Sequence, residues 1–285
     1  MIYLVTKPVG RFGNRLFQYF SSEFLKHELS KIDDVTLIRP GIFELGIPAD
    51  NSYSQYANFK PDFILEGNYL GSQLNFINNK IKRDLYIENN FIGLNLEYLK
   101  RFPTDISKAI ARLKSDKIKN QDYFVAHVRG GDIWRNSLYV APHKDYTALP
   151  ISYYLEIRKN TQRPIRFICE PGIPEFYLKL IKKNFGKESL SNDGAILDDF
   201  STLLNAQHLI LSVSSFSWMA GYLGESTSVN FPVLGIFNQE IRRDINLSLS
   251  KQRNWKNWKF RKHTWKGDFR DFYWLRYGDC IEEKD

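Results

Sequence analysis

Cysteine is almost missing from this chain of 285 residues, which has two, Cys169 and Cys280. Two cysteines so placed make neither a zinc-ligand pattern nor a disulfide framework. The fold must therefore be held by its core, and a reducing compartment is the default, with one bridge left open. Long apolar runs are missing as well: no stretch approaches the ~20 apolar residues of a membrane-spanning helix. The opening MIYLVTKPVG is short and has no basic leader region, so it reads as the first strand of a sheet and not as a signal peptide. Internal repeats, low-complexity tracts, the dinucleotide-binding glycine fingerprint and the P-loop are all absent.

What is present is a large apolar and aromatic share with a cationic excess. Hydrophobic residues make up 43% of the chain and aromatic residues 15%, enough for a sizeable core and for stacking on sugars or bases. The length suits one large domain or two of ordinary size. The net charge of +8 suits an anionic ligand: a nucleoside diphosphate, a nucleic acid or an acidic membrane.

The stretch that organises the chain is YFVAHVRGGDIW, residues 123–134. Alternation puts Phe124, Ala126 and Val128 on one face of a buried strand, and His127 and Arg129 on the other. Gly130 and Gly131 break the strand into a tight turn, and Asp132 follows. In open α/β sheets ligands sit beyond the carboxyl ends of strands, so His127, Arg129 and Asp132 stand where chemistry is expected. An ordinary strand end with a surface Arg–Asp pair would read the same way.

Before that stretch, Ile2–Thr6 reads as a strand, Lys7–Gly13 as a glycine loop, and a helix starts at Asn14 with Leu16, Phe17, Phe20, Phe24 and Leu25 on one stripe. Such a loop offers N–H groups of Gly10, Arg11, Gly13, Asn14 and Arg15, with the helix dipole, to a phosphate or a sugar hydroxyl. Strands are expected at Val35–Arg39 and Phe63–Leu70, with Pro40–Lys60 irregular, and a helical stretch at Asn95–Ser115 broken by Pro103. Lys114–Asn120 is lysine-rich and marks a boundary.

After it, a polar loop to Leu149 carries His143 and Asp145, and Pro150 opens a helix. Pro164–Cys169 reads as a strand leading to Glu170, Glu175–Phe185 as an amphipathic helix, and Asp198 or Asp199 as the cap of a helix through Ala206. His208–Val213 is an apolar strand, after which Ser214, Ser215, Phe216 and Ser217 open a helix through Leu223, a second anion-binding geometry. Asn230–Ile236 reads as the last strand. Alternation of this kind predicts a parallel α/β sheet in the second half. The tail, Lys251–Tyr277, interleaves Trp255, Trp258 and Trp265 with Lys256, Lys259, Arg261, Lys262 and Lys266. It reads as a helix whose tryptophans pack on the core while its lysines stay wet, or as a basic aromatic surface.

Taken in order, these pieces resemble the α-1,2-fucosyltransferases, a family within the GT-B enzymes that use GDP-fucose. GRFGNRLFQYF at 10–20 is similar to the family's opening loop and helix, and LEGNYLGSQLNF at 65–76, more loosely, to its Gly-Tyr-x-Gln-Ser segment. HVRGGD at 127–132 is similar to the signature His-x-Arg-Arg-Gly-Asp, and LPISYY at 149–154 to the Leu-Pro-x-x-Tyr-Tyr that follows it. The run at 198–223 is similar to the family's helix, strand and Asn-Ser-Thr-Phe-Ser-Trp-Trp segment. The chain departs from the pattern at Gly130, where the family has its second arginine, at Val213 and Met219, and at Phe167–Glu170, where it has Phe-Ser-Asp-Asp.

The resemblance implies an α/β, GT-B-like fold of two Rossmann-like lobes with a cleft between them. Residues 1–118 would form the acceptor lobe, 119–240 the donor lobe, and 241–285 a basic aromatic tail packing back on the first. It implies inverting transfer of fucose from GDP-fucose to a glycan hydroxyl. No metal or other cofactor is expected, because apart from a Glu-x-Asp at the C-terminal end the chain has no Asp-x-Asp pair. Arg129 would neutralise the β-phosphate, His127 hold the nucleotide, and Asp132 orient Arg129. The segment 10–15, Glu170 and Ser214–Ser217 would complete the donor site. Arg11, Arg15 or Arg135 would replace the missing arginine. Glu66, Asn68, His143 and Asp145 fall to the acceptor, and Asp132, Asp145, Glu66 and His143 are the candidate bases. The expected partners are a nucleotide sugar and a glycan, with no nucleic acid, and a peripheral membrane contact through the tail of a cytoplasmic protein. The alternatives are another nucleotide-sugar donor, or a carbohydrate- or nucleic-acid-binding protein without turnover.

Overall fold

The computed structural model describes residues 1–56, 58–66, 73–74, 77, 84–114, 122–134, 147–191, 194–249, 254–260 and 272–283. The chain divides into two units, Met1–Arg112 with Arg243–Leu247, and Leu113–Arg242 with Ser248–Asp285. The main division thus comes a few residues before the expected 118.

The first unit is built on four strands: β1 (Ile2–Thr6), β2 (Val35–Ile38), β3 (Phe63–Leu65) and β4 (Leu85–Asn89). They are ordered β2-β1-β4-β3 and all pairs are parallel. Helix α1 (Phe12–Leu29) buries the expected stripe of Leu16, Phe17, Phe20 and Leu25. It begins two residues earlier than the apolar pattern suggested, with Arg11 at the N-cap and Lys26 and His27 in the last turn facing the negative end of its dipole. Between β2 and β3 there is a one-turn helix α2 (Tyr53–Tyr56). Pro103 separates a 3-10 turn, Leu96–Lys100, from helix α3 (Thr104–Leu113), because proline has no N–H to continue the ladder.

The second unit carries β5 (Phe124–Val128), α4 (Ile151–Thr161), β6 (Ile165–Cys169), α5 (Glu175–Phe185), β7 (Leu190–Ser191), α6 (Ile196–Leu204), β8 (His208–Ile210), α7 (Ser215–Leu223), β9 (Ser228–Val233), β10 (Trp255–Phe260), α8 (Phe272–Tyr277) and β11 (Cys280–Glu282). The sheet order is β11-β10-β9-β8-β5-β6-β7, parallel except for β11 against β10. Strand β5 lies inside the sheet, between β8 and β6, and is buried along its whole length. Helix α6 starts at Ile196 with Ala195 at its N-cap, so Asp198 and Asp199 lie inside the first turn and not at the cap.

The tail corrects the sequence reading in two respects. Only Arg243–Leu247 joins the first unit, whereas Ser248–Asp285 belongs to the second, where Trp255–Phe260 pairs in parallel with β9. Two tryptophans three apart look like one face of a helix, but in a strand they point to opposite faces. Both faces of β10 are covered: Trp255 meets Trp218 of α7 at 6.0 Å, and Trp258 meets Tyr153 of α4 edge-on at 5.5 Å. Trp258 also donates its Nε1–H to Asn230 Oδ1 at 2.9 Å. Lys256 and Lys259 pair with Glu282 at 3.3 Å and Glu283 at 2.7 Å, which neutralises part of the expected basic surface. Arg261, Lys262, Trp265 and Lys266 lie outside the described residues. Trp258→Ala should cost about 3–5 kcal/mol in a urea unfolding series, the usual range for a buried tryptophan. A shift below about 1 kcal/mol would contradict this packing.

Candidate active site

The second unit gathers its chemistry at the carboxyl ends of β5, β6 and β8. His127 points inward from β5 and is 0% exposed. Its Nδ1 is 2.7 Å from Ser212 Oγ, and its Nε2 is 3.4 Å from Glu170 Oε1. The ring of Phe216 covers it at 5.2 Å. His127 therefore sits beneath the site, where it holds Glu170 and Ser212, and it does not face a ligand as the sequence suggested.

Arg129 follows at the strand end and is 8% exposed. Its Nη2 donates to both carboxylate oxygens of Asp132, at 3.0 and 3.3 Å, and Trp134 donates to its backbone carbonyl at 2.9 Å. The Asp132 side chain is 62% exposed, so the pair lies at the rim with its guanidinium held from the solvent side. Arg129 lines a small recess with Trp134, Thr147, Leu149 and Ser212. The chain over that recess is pinned from below, by Tyr177 donating to Leu149 O at 2.5 Å and Trp274 to Ala148 O at 3.1 Å. Tyr177 and Trp274 carried no signal in the sequence, because their role depends on elements far away in the chain.

The Gly130–Gly131 turn is pressed against the Glu170–Gly172 turn that follows β6. Gly130 N–H donates to Glu170 Oε2 at 3.2 Å, and Glu170 N–H to Val128 O at 3.0 Å. A Cβ on Gly130 would run into the backbone carbonyls of Pro171 and Glu170, the latter at 2.6 Å. Gly131 has φ +69°, in the region that glycine tolerates best. The arginine of the related signature has no room here, so Gly130 is a packing requirement of this turn.

The serines divide their work. Ser214 Oγ accepts from Phe216 N–H at 3.2 Å and caps α7. Ser217, fully buried, approaches the carbonyls of Ser212 and Ser214 at 3.3 Å and so braces the strand–helix corner. Ser215 and Phe216 form the first turn, with N–H groups at the positive end of the helix dipole. Asp199, which the sequence marked only as a cap, stands near His127 and Glu170. Burial raises its carboxyl to about 6 against the opposing charge of His127. The Cys169 thiol is pushed up to about 12 by burial, which leaves it no role as a thiolate near neutrality.

In the first unit the glycine loop is held by a residue the sequence did not single out. Gln18, 1% exposed, accepts from Val9 N–H at 3.2 Å and donates to Lys7 O at 2.5 Å. Gly10 has φ +73° and lies against Asn14, whose side chain leaves no space for a Cβ. Arg15 is engaged with Glu44, Gly13 is buried in the helix start, and Arg11 is exposed at the N-cap. Exposed Glu66 accepts from Gln73 through its backbone carbonyl at 3.0 Å. Asn68, Arg135, His143 and Asp145 lie outside the described residues. Among the described residues no group of three or more His, Cys, Asp or Glu side chains could hold a metal ion, and no helix is long and apolar enough to cross a membrane.

An arginine fixed by a carboxylate beside a serine-capped helix start is a geometry for neutralising a phosphate. Among solved structures, a mutant of Arabidopsis thaliana FUT1 in complex with GDP is similar at 9% identity, over 92% of this chain and 71% of that one, with a TM-score of 0.43. No curated protein matches the sequence. The model of glycosyl transferase family 11 matches residues 94–259, more than half of the chain. That span holds HVRGGD, LPISYY and the serine-capped helix, and with it the whole of the arginine site, so the chain belongs to glycosyl transferase family 11.

Proposed function

We propose that this glycosyltransferase moves fucose from GDP-fucose to a hydroxyl of a glycan, with inversion and without a metal ion. The observation that carries the reading is Arg129, almost buried, oriented by Asp132 and placed at the carboxyl end of the buried strand β5. As the glycosidic bond breaks, negative charge builds on the β-phosphate, and a guanidinium already in place stabilises it without reorganisation. The N–H groups at the start of α7 add their dipole to the same charge. Asp132 orients Arg129, and His127 orients Glu170, whose carboxylate suits the N–H donors of a guanine edge. The second unit takes the donor, with the glycine loop of residues 10–15 contributing to the donor site, and the first unit takes the acceptor. The acceptor hydroxyl attacks the anomeric carbon from the side opposite the leaving group, and Glu66, His143 and Asp145 are the candidates to receive its proton.

Calorimetric titration with GDP, UDP, ADP and CDP in the presence of EDTA tests this. GDP should bind selectively and without metal, and GDP-fucose should then turn over. Selective UDP binding would discard the donor. Loss of GDP binding in EDTA would discard the metal-free mechanism. No binding of any of the four would favour a carbohydrate- or nucleic-acid-binding role without turnover.

A further inference from the structure

The two faces of the first unit's sheet are built from different chemistry. On the side of α1, β1 and β4 bury Ile2, Leu4, Leu85 and Ile87 in a closed core that also holds Leu25, Phe91 and Tyr98. The alternate positions of the same strands carry Tyr3 and Tyr86, which meet the β2-to-β3 crossover. Both faces of a parallel sheet are normally covered by helices. Here the described part of that crossover contributes a 3-10 turn, Phe43–Leu45, and the single turn of α2, and its rings complete an aromatic layer. Tyr3 stacks on Tyr86 at 4.9 Å with planes 10° apart, Tyr56 on Tyr3 at 5.3 Å and 18°, and Phe59 on Tyr86 at 5.2 Å and 12°. Phe59 is 47% exposed, and Ile64 on β3, paired with Glu88, is 46% exposed.

Polar groups frame this layer at the carboxyl ends of the strands. Lys7 Nζ is 3.7 Å from Glu88 Oε2, and Asn90 donates to Glu88 Oε1 at 2.9 Å. Burial, and then the charge of Glu88, raise the pKa of Tyr53 in α2. Flat ring faces bordered by phenol, carboxylate, ammonium and amide groups match a pyranose, which offers an apolar C–H face and a rim of hydroxyls. Bases stack on rings too, but strands of nucleic acid need cations along their backbone. Here Lys7 is already matched by Glu88, and the N-terminal ammonium by Asp33 at 2.8 Å and Asp84 at 3.3 Å, and one exposed lysine next to Phe59, Lys60, is no row of cations.

We infer that the layer of Tyr3, Tyr56, Phe59 and Tyr86 is a binding platform for a neutral oligosaccharide of hexopyranose units, which lies with its C–H faces on Tyr56 and Phe59. The inference rests on the proposed glycan acceptor and gives it a place and a chemistry. Its ligand is several sugars long, because rings in series meet successive units.

The probe is a series of neutral β-linked gluco- and galacto-oligosaccharides of two to six units, titrated calorimetrically into the full chain, with GDP titrated in parallel. At least one series should bind more tightly as it lengthens. Phe59→Ala, and the pair Tyr56→Ala with Phe59→Ala, should weaken the longest member at least tenfold and the disaccharide much less, with GDP affinity unchanged and the chain still folded at the titration temperature. Unchanged oligosaccharide affinity in the variants overturns the platform, as does a wild-type chain that binds GDP and none of the series. A chain that binds the series and not GDP leaves the platform standing and removes the proposed donor, so the two failures are separate.

Discussion

Arg129→Ala should lower kcat with GDP-fucose by roughly a thousandfold, while the unfolding midpoint changes little. The size follows from the job. A preorganised positive group facing charge that develops in the transition state is worth about 10²–10³-fold, and arginines on transferring phosphoryl groups more. The fold should tolerate the loss because the partner, Asp132, is 62% exposed and returns to water when the guanidinium is removed. An arginine whose counter-ion is buried would behave differently, leaving a charge stranded at a cost of several kcal/mol. Arg129→Lys should fall between, since an ammonium keeps the charge and loses the planar fork. The measurement is steady-state turnover at saturating donor beside a denaturant titration. Turnover within tenfold of the parent would remove Arg129 from the mechanism. Collapse of the fold in both variants would make it a structural residue.

Gly130→Arg, which writes the related arginine signature into this chain, should damage the protein and not improve it. The obstacle is backbone. A Cβ at 130 meets the carbonyls of Pro171 and Glu170, and neither can swing away as a side-chain tip would. The turn after β6 would have to retreat, breaking the bonds from Gly130 N–H to Glu170 and from Glu170 N–H to Val128. Gly130→Ala isolates this effect from charge, and an overpacked site of this kind costs about 1–3 kcal/mol. The arginine variant should lose at least as much, and kcat should fall because it displaces Glu170 of the proposed donor site. Unfolding midpoints and kcat for both variants decide it. An arginine variant as stable as the parent and more active would show that the turn opens to admit a second cation. The parent chain would then be working one charge short.

The local signals were legible because they depend on short stretches of chain. The stripe of α1, the Glu175–Phe185 helix, the buried β5 strand and the helix that Ser214–Ser217 open all follow from periodicity and helix-start chemistry, which act within a few residues. The order of the motifs carried the family and pointed to Arg129 and Asp132. The tertiary structure decided whatever depended on a distant neighbour. Trp255 and Trp258 keep a helix-like spacing but form a strand, because α7 and α4 cover its opposite faces. Arg15 leaves the candidate anion site because Glu44 captures it, and His127 sinks beneath its site because Ser212 and Glu170 close around it. Gly130 reads in sequence as a lost charge and proves to be the one residue that fits where two turns meet. Local pattern specifies which face of an element is apolar. Only packing specifies what that face meets, and at Gly130 that contact determines which side chain can exist at all.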